Sequence, residues 1–201
     1  MLAAVLRAVG LDSGLWYDEI VTLVEFVRLP AYAPATTYTT PNNHILYSLL
    51  AHGAIAAFGE HAWTLRLPAA VFGVLSVAAV FFLGTRVASR GEALLASALL
   101  AVSYHHVWFS QNARGYTGIL LFSWLGTALF LRARRGGSRS LWIVYAFALA
   151  LAMYTHLSAV FVFAAHGLVY LADEAARAWR ARAGAPTPTA LDAWLLVGVA
   201  P

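Results

Sequence analysis

Long apolar segments in this chain are separated by two kinds of connection, and the two kinds alternate. One kind is rich in arginine: Arg86/Arg90, Arg132/Arg134/Arg135/Arg139 and Arg177/Arg180/Arg182. The other holds acids, amides and histidines: Asp18-Glu19, Asn42-Asn43-His44, the run Gln111-Asn112-Ala113-Arg114-Gly115-Tyr116, and Thr155-His156. Laid across a membrane with the arginine turns on one side, the chain puts the whole second set on the other. A purely structural bundle has no need to gather acids, histidines and a lone arginine at one membrane face. An active site does.

Composition supports a membrane chain. Hydrophobic residues make up 61% and charged residues 11% of the sequence, with mean hydropathy +0.71, against roughly half apolar in soluble domains. A soluble chain of 201 residues could not hide that much apolar surface. The net charge of +4 comes largely from membrane-flanking arginines. Nucleic-acid binding is excluded as its explanation, because it wants a solvated basic face and none is present. With no cysteine, disulfides and thiolate chemistry are excluded.

A spanning helix needs about 20 apolar residues, with about 17 as the lower limit. Segments 65–88, 93–109 (short) and 116–131 qualify. Segment 141–172 is too long for one crossing at ~1.5 Å per residue. It reads as a helical hairpin turning at Tyr154-Thr155-His156-Leu157-Ser158, the polar cluster inside it. Residues 1–11 resemble the tail of a first span and 191–201 the start of a further helix, so the expectation is a single transmembrane domain, 1–201, that is part of a larger protein. A cleavable signal peptide is not expected.

Residues 44–58 are marginal for spanning. Ile45, Leu46, Leu49 and Leu50 share one helical face, while His44, Ser48 and His52 form a polar stripe, a pattern that suits a helix lying in the membrane interface. Residues 19–29 behave alike up to Pro30. Charge favours the flat reading: if 44–58 spanned, Arg86 and Arg90 would move to the side of the first polar loop, against the positive-inside rule. The expected fold class is therefore an all-α polytopic membrane bundle. An outer loop, 12–64, carries two juxtamembrane helices; five spans follow within 65–172, then a cytoplasmic linker, 173–190.

Each polar group also has a plain structural reading. Asp18 precedes an amphipathic helix and could simply cap it. Against capping alone stand its neighbour Glu19 and the approach Leu15-Trp16-Tyr17, which seats both acids at the membrane surface, where partial desolvation tunes a carboxylate as a base. Asn42-Asn43 could only turn the chain into the helix at His44, and Arg114 could snorkel to headgroups. Its lone position on the outer face favours anion binding. His156 could merely break a helix at the hairpin tip. His105 and His106 read as interface residues, His52, His61 and His166 as structural, and Gly115 and Gly118 as sites of close packing.

The ordered series Leu15-Trp16-Tyr17-Asp18-Glu19, Asn43-His44-Ile45-Leu46-Tyr47, Phe58-Gly59 with Leu65-Arg66-Leu67-Pro68, Ser110-Gln111-Asn112-Ala113-Arg114-Gly115-Tyr116 and Tyr154-Thr155-His156 resembles the family 39/83-type glycosyltransferases of the GT-C fold. These polyprenyl-phosphate-sugar-dependent enzymes are related to protein O-mannosyltransferases and the aminoarabinose transferase of lipid A. The resemblance implies that Asp18 is the catalytic base, in an Asp-Glu pair with Glu19, and that the first outer loop carries two juxtamembrane helices. Many relatives have an acid two residues before the histidine and two prolines after it; here those positions are Asn42 and Ile45-Leu46.

The chemistry matching these residues is sugar transfer from a polyprenyl-phosphate donor to an acceptor hydroxyl or similar nucleophile, on a lipid, glycan or protein. It would take place at the extracytoplasmic face of the cell membrane, with inversion. Asp18 would be general base. Asn43, His44, Gln111, Arg114, Tyr116 and His156 would bind substrate, and Arg114, His44, His156 or a divalent metal ion would answer the phosphate charge. Two other classes fit a polytopic chain. A transporter would hold its polar site near the midplane, often between repeats, and no repeat is visible. A non-catalytic scaffold would not need Asp18, Arg114 and His156 on one side.

Overall fold

The computed structural model describes residues 1–37, 40 and 43–183. Asn42, the helix expected at 191–201 and the linker beyond 183 lie outside the described residues. The described residues form an all-α membrane protein without strands. The outer segment comprises α1 (Leu2–Ala8), α2 (Tyr17–Thr22) running into a π-helical turn at Leu23–Val27, α3 (Ala33–Thr36) and α4 (Ile45–Phe58). The bundle follows as α5 (Ala62–Gly84), α6 (Arg90–Val102), α7 (Tyr104–Ser110), α8 (Tyr116–Arg134), α9 (Arg139–Thr155) and α10 (Ala159–Arg182). By length and apolarity α5, α8 and α10 can each cross a membrane, and α6 with α7 makes a bent fourth candidate; α9, at 17 residues, is a shorter apolar helix.

Local sequence explains the boundaries. Gly59 ends α4 at φ +85°, and Gly136 follows α8 at φ +91°, left-handed conformations that glycine adopts without a Cβ clash. Ser89 and Glu92 cap α6 reciprocally: the Glu92 N–H donates to Ser89 Oγ at 3.3 Å and the Ser89 N–H to Glu92 Oε2 at 2.8 Å, satisfying two of the first-turn donors.

Small residues then set the helix spacing. A Cβ on Gly115 would lie 2.1 Å from the Thr155 carbonyl oxygen, and one on Gly118 would lie 2.4 Å from Thr155 Cγ2. Further along, Gly126 faces Leu149 and Phe130 faces Trp142 and Tyr145. The pairings ascend on α8 as they descend on α9, so the two helices are antiparallel. The same reasoning makes α9 and α10 a hairpin: Tyr145 Oη meets His166 Nδ1 at 3.1 Å, and the Trp142 and Tyr170 rings lie 6.0 Å apart. The turn falls at His156, as the sequence suggests.

Three expectations need correction. Helix α10 does not stop at Ala172 but runs to Arg182, into the stretch expected to be linker. Its last turns are mostly Ala, Glu and Arg, which are strong helix formers, and Arg177 pairs with Glu174 at 3.0 Å one turn away.

The span expected at 93–109 is broken, with α6 and α7 bent by 61° at Ser103. A break frees helix-end carbonyls that must find donors in an apolar setting. Arg7 of α1 supplies them, donating to Ala101 O at 3.2 Å and Leu100 O at 3.4 Å while contacting His106 Nδ1. His106 is thus a buried partner of Arg7 and not an interface residue.

Finally, the His44/Ser48/His52 stripe of α4 does not face water. His44 and Ser48 are buried, His52 Nδ1 meets Val27 O at 2.8 Å, and Leu50 and Phe58 are exposed instead. Its two histidines engage backbone carbonyls of neighbouring elements, His44 that of Thr155 and His52 that of Val27.

These contacts orient the bundle. The starts of α5, α8 and α10 and the end of α9 sit at one end, with α2 and the start of α4 drawn against them. The arginine-rich ends of α5, α8 and α10 and the starts of α6 and α9 sit at the other.

Candidate functional site

The site is assembled around one buried ion pair. Glu19 and Arg66 are 0% and 1% exposed, and they meet as a fork: Arg66 Nε to Glu19 Oε1 at 2.7 Å and Nη2 to Oε2 at 2.6 Å. The remaining capacity of the carboxylate takes the Ala113 N–H at 2.7 Å and the Trp16 N–H at 2.9 Å. The other guanidinium protons go to Leu11 O, Ser13 O and Gly14 O between 2.8 and 3.0 Å. One ion pair therefore ties the outer loop, the start of α5 and the connection before α8. Paired and hydrogen-bonded this fully, the two charges can stay in the interior. Glu19, expected beside Asp18 as catalytic, has both carboxylate oxygens engaged by Arg66 and by backbone N–H groups. It also takes the capping task considered for Asp18, since the helix begins at Tyr17 and Glu19 reaches back to the Trp16 N–H.

With Glu19 turned inward, its neighbour Asp18 points outward. The Asp18 side chain is 58% exposed, and its Oδ2 lies 3.3 Å from Nη1 of Arg114, which is only 12% exposed. Arg114 also donates through Nη2 to Tyr116 Oη at 3.4 Å and lies 5.6 Å from that ring's centroid. Asp18 and Arg114, 96 positions apart (114 − 18), are thus brought together.

The third element is an imidazole pair. His44 precedes α4 and is buried; its Nδ1 lies 3.1 Å from Thr155 O. Its ring is 4.8 Å from His156, and Tyr116 flanks both, at 5.9 Å from His44 and 5.1 Å from His156. Gly115 makes this possible, because only hydrogen at that Cα lets the start of α8 touch the Thr155 backbone. Burial first, then the Arg114 and His156 charges, push the His44 pKa down to about 3, against the pull of its Thr155 hydrogen bond. Burial and Arg114 also lower His156. Both rings are neutral at pH 7, so the charge facing an incoming anion is that of Arg114, not of the histidines.

A pH effect on stability follows. A histidine neutral in the fold and ordinary when unfolded binds its proton more readily unfolded, so stability is complete above about 6.5 and declines as pH falls toward 3. The loss for His44 is on the order of a few kcal/mol when complete. Thermal unfolding of His44→Phe between pH 7 and pH 4.5 should show a shallower decline than wild type. Equal slopes would mean that His44 does not carry the effect.

Two residues expected to bind substrate make hydrogen bonds within the fold. Asn43 is buried and donates through Nδ2 to Pro34 O at 2.7 Å and Thr37 O at 2.9 Å, fastening α3 beside α4. Gln111 donates to Leu6 O at 3.0 Å and Val9 O at 2.5 Å, closing the end of α1. The structure thus brings together Asp18, Arg114, Tyr116, His44 and His156 and engages Glu19, Asn43 and Gln111 in bonds within the surrounding fold. Sequence reasoning missed Arg66 and Arg7. The available signal was a charge inside an otherwise apolar segment, which demands a named partner. Among the described residues no group of three or more His, Cys, Asp or Glu could hold a metal.

The family model described as dolichyl-phosphate-mannose-protein mannosyltransferase matches residues 41–200. No curated protein and no solved structure matches the chain. Asp18 and Glu19 precede the matched segment, and their bonds to Arg114, Ala113 and Arg66 tie them to it.

Proposed function

From the premise that the chain belongs to the dolichyl-phosphate-mannose-protein mannosyltransferase family, we propose that it transfers a sugar from a polyprenyl-phosphate donor to an acceptor hydroxyl, with Asp18 as general base and Arg114 at the donor phosphate. Membership alone makes the chain part of a membrane glycosyltransferase. The finer reading is carried by one observation: an exposed carboxylate 3.3 Å from a largely buried guanidinium, at the bundle end away from the arginine turns. By the positive-inside rule that end is extracytoplasmic.

The steps balance without a covalent enzyme intermediate. The acceptor O–H gives its proton to Asp18 as its oxygen bonds to the anomeric carbon from the face opposite the phosphate. The bond from that carbon to the phosphate oxygen breaks, and polyprenyl phosphate leaves with the electron pair. A phosphate needs no proton to leave but does need positive charge, which Arg114 supplies beside the N-terminal dipole of α8. Phosphate binding would draw the guanidinium donors from Asp18 and leave its carboxylate to the acceptor. A single base with in-line displacement gives inversion. A divalent ion, if bound, would add further charge at the phosphate.

The test is donor affinity. Arg114→Ala should weaken binding of a polyprenyl-phosphate hexose about ten- to a hundredfold, as for loss of a charge-assisted hydrogen bond, and turnover should fall with it. Arg114→Lys should recover part, since an ammonium restores charge but not the fork. Unchanged donor affinity in Arg114→Ala would remove the phosphate from this place.

A further inference from the structure

The imidazole pair offers a pattern of donors and acceptors that the phosphate does not use. Thr155 O can only accept, so His44 Nδ1 carries the proton and donates. His44 Nε2 is then a bare lone pair, buried and without a hydrogen-bond partner. The Ser158 N–H can only donate, at 3.1 Å to His156 Nδ1, and Ser158 Oγ is 2.8 Å from the same atom. His156 Nδ1 is therefore the acceptor of its ring, and Nε2 carries the proton. Two neutral rings, tilted 31° to each other with centroids 4.8 Å apart, thus present one acceptor and one donor. Buried polar atoms are seldom left unmatched in a folded protein, and an orphan calls for a ligand or another explanation.

Three ligand chemistries can be compared with that pattern. An anion wants donors, and His44 Nε2 is not one. A metal wants lone pairs, and the pair offers one: His156 Nδ1 is taken by Ser158, and the other two ring nitrogens carry protons. A hydroxyl donates and accepts at once, and it is the group that satisfies both rings. Tyr116 supplies a flat apolar wall against both histidines and, through its Oη, touches Arg114. We infer that the His44–His156 pair with Tyr116 is a sugar-reading subsite, which accepts from and donates to one hydroxyl of the donor's hexose while Arg114 holds the phosphate. This rests on the reading of Arg114 as the phosphate ligand. It adds that the site distinguishes a glycosylated lipid phosphate from a bare one.

The purified chain in lipid nanodiscs is titrated with two probes, a polyprenyl phosphate and the same lipid phosphate carrying one hexose. Wild type should prefer the hexose-bearing lipid. His44→Phe and His156→Phe keep the aromatic volume and remove the polar edge. Each should weaken the hexose-bearing lipid about tenfold, roughly the value of one or two hydrogen bonds, and leave the bare phosphate unchanged. His156 is only half-buried, so its variant keeps the test available if the buried one misfolds. Arg114→Ala should weaken both lipids together, which separates the phosphate reading from the sugar reading. Equal losses for both probes in the histidine variants would overturn the subsite. So would Mn²⁺ binding, measured without lipid, that disappears in His156→Phe. Failure of wild type to bind either probe would overturn the phosphate reading and this one with it.

Discussion

Asp18→Asn is expected to lower sugar transfer by a factor of about 10² to 10⁴, the usual cost of losing a positioned general base. The substitution keeps size and one carbonyl oxygen, so the 3.3 Å approach to Arg114 can persist as a weaker, uncharged contact. Donor binding and thermal stability should barely move, because Asp18 is exposed and the capping hydrogen bond belongs to Glu19. Single-turnover transfer measured at saturating donor gives the rate, and lipid titration gives the affinity. Activity within a few-fold of wild type would remove Asp18 as the base.

The opposite profile is expected one residue later. Glu19→Gln or Arg66→Met should cost about 3–5 kcal/mol of stability, the range for breaking a buried ion pair on one side. Replacing both residues by apolar ones should not rescue the fold, as it does for some isolated pairs. Arg66 also satisfies three loop carbonyls, and Glu19 two backbone N–H groups. Limited proteolysis should show the loop 11–19 opening in either variant before the bundle unfolds. A loss below about 1 kcal/mol in both single variants, measured by denaturant unfolding in detergent, would contradict the assignment of the pair as the organiser of the site.

What the sequence revealed depended on the range of the interaction. Alternating apolar segments and arginine turns made the bundle and its two unlike ends legible, since hydropathy and charge are local properties. The hairpin at His156 was legible because polar groups midway through an overlong apolar run have few places to go. The bend at Ser103 was not, because it rests on Arg7, whose contacts to Leu100 and Ala101 lie far away in sequence. Likewise Asp18 and Glu19 looked equivalent side by side. Their roles divide because adjacent residues of a helix point about 100° apart, one toward Arg66 and the other toward solvent and Arg114. The His44 stripe showed a polar face correctly, but hydropathy alone cannot tell water from a neighbour's carbonyl.

The contact of Gly115 with the Thr155 carbonyl gives the bundle a fulcrum. Helices α8 and α9 touch there backbone to backbone, through atoms that cannot change rotamer, while their far ends are separated by longer side chains. Transmembrane helices tilt to match the thickness of the lipid around them. Tilting about this point swings the arginine-bearing ends through the widest arc and displaces Arg114, Tyr116 and His156 the least. The end that holds the Asp18–Arg114 pair is thereby insulated from the bilayer's dimensions by a single missing methyl group.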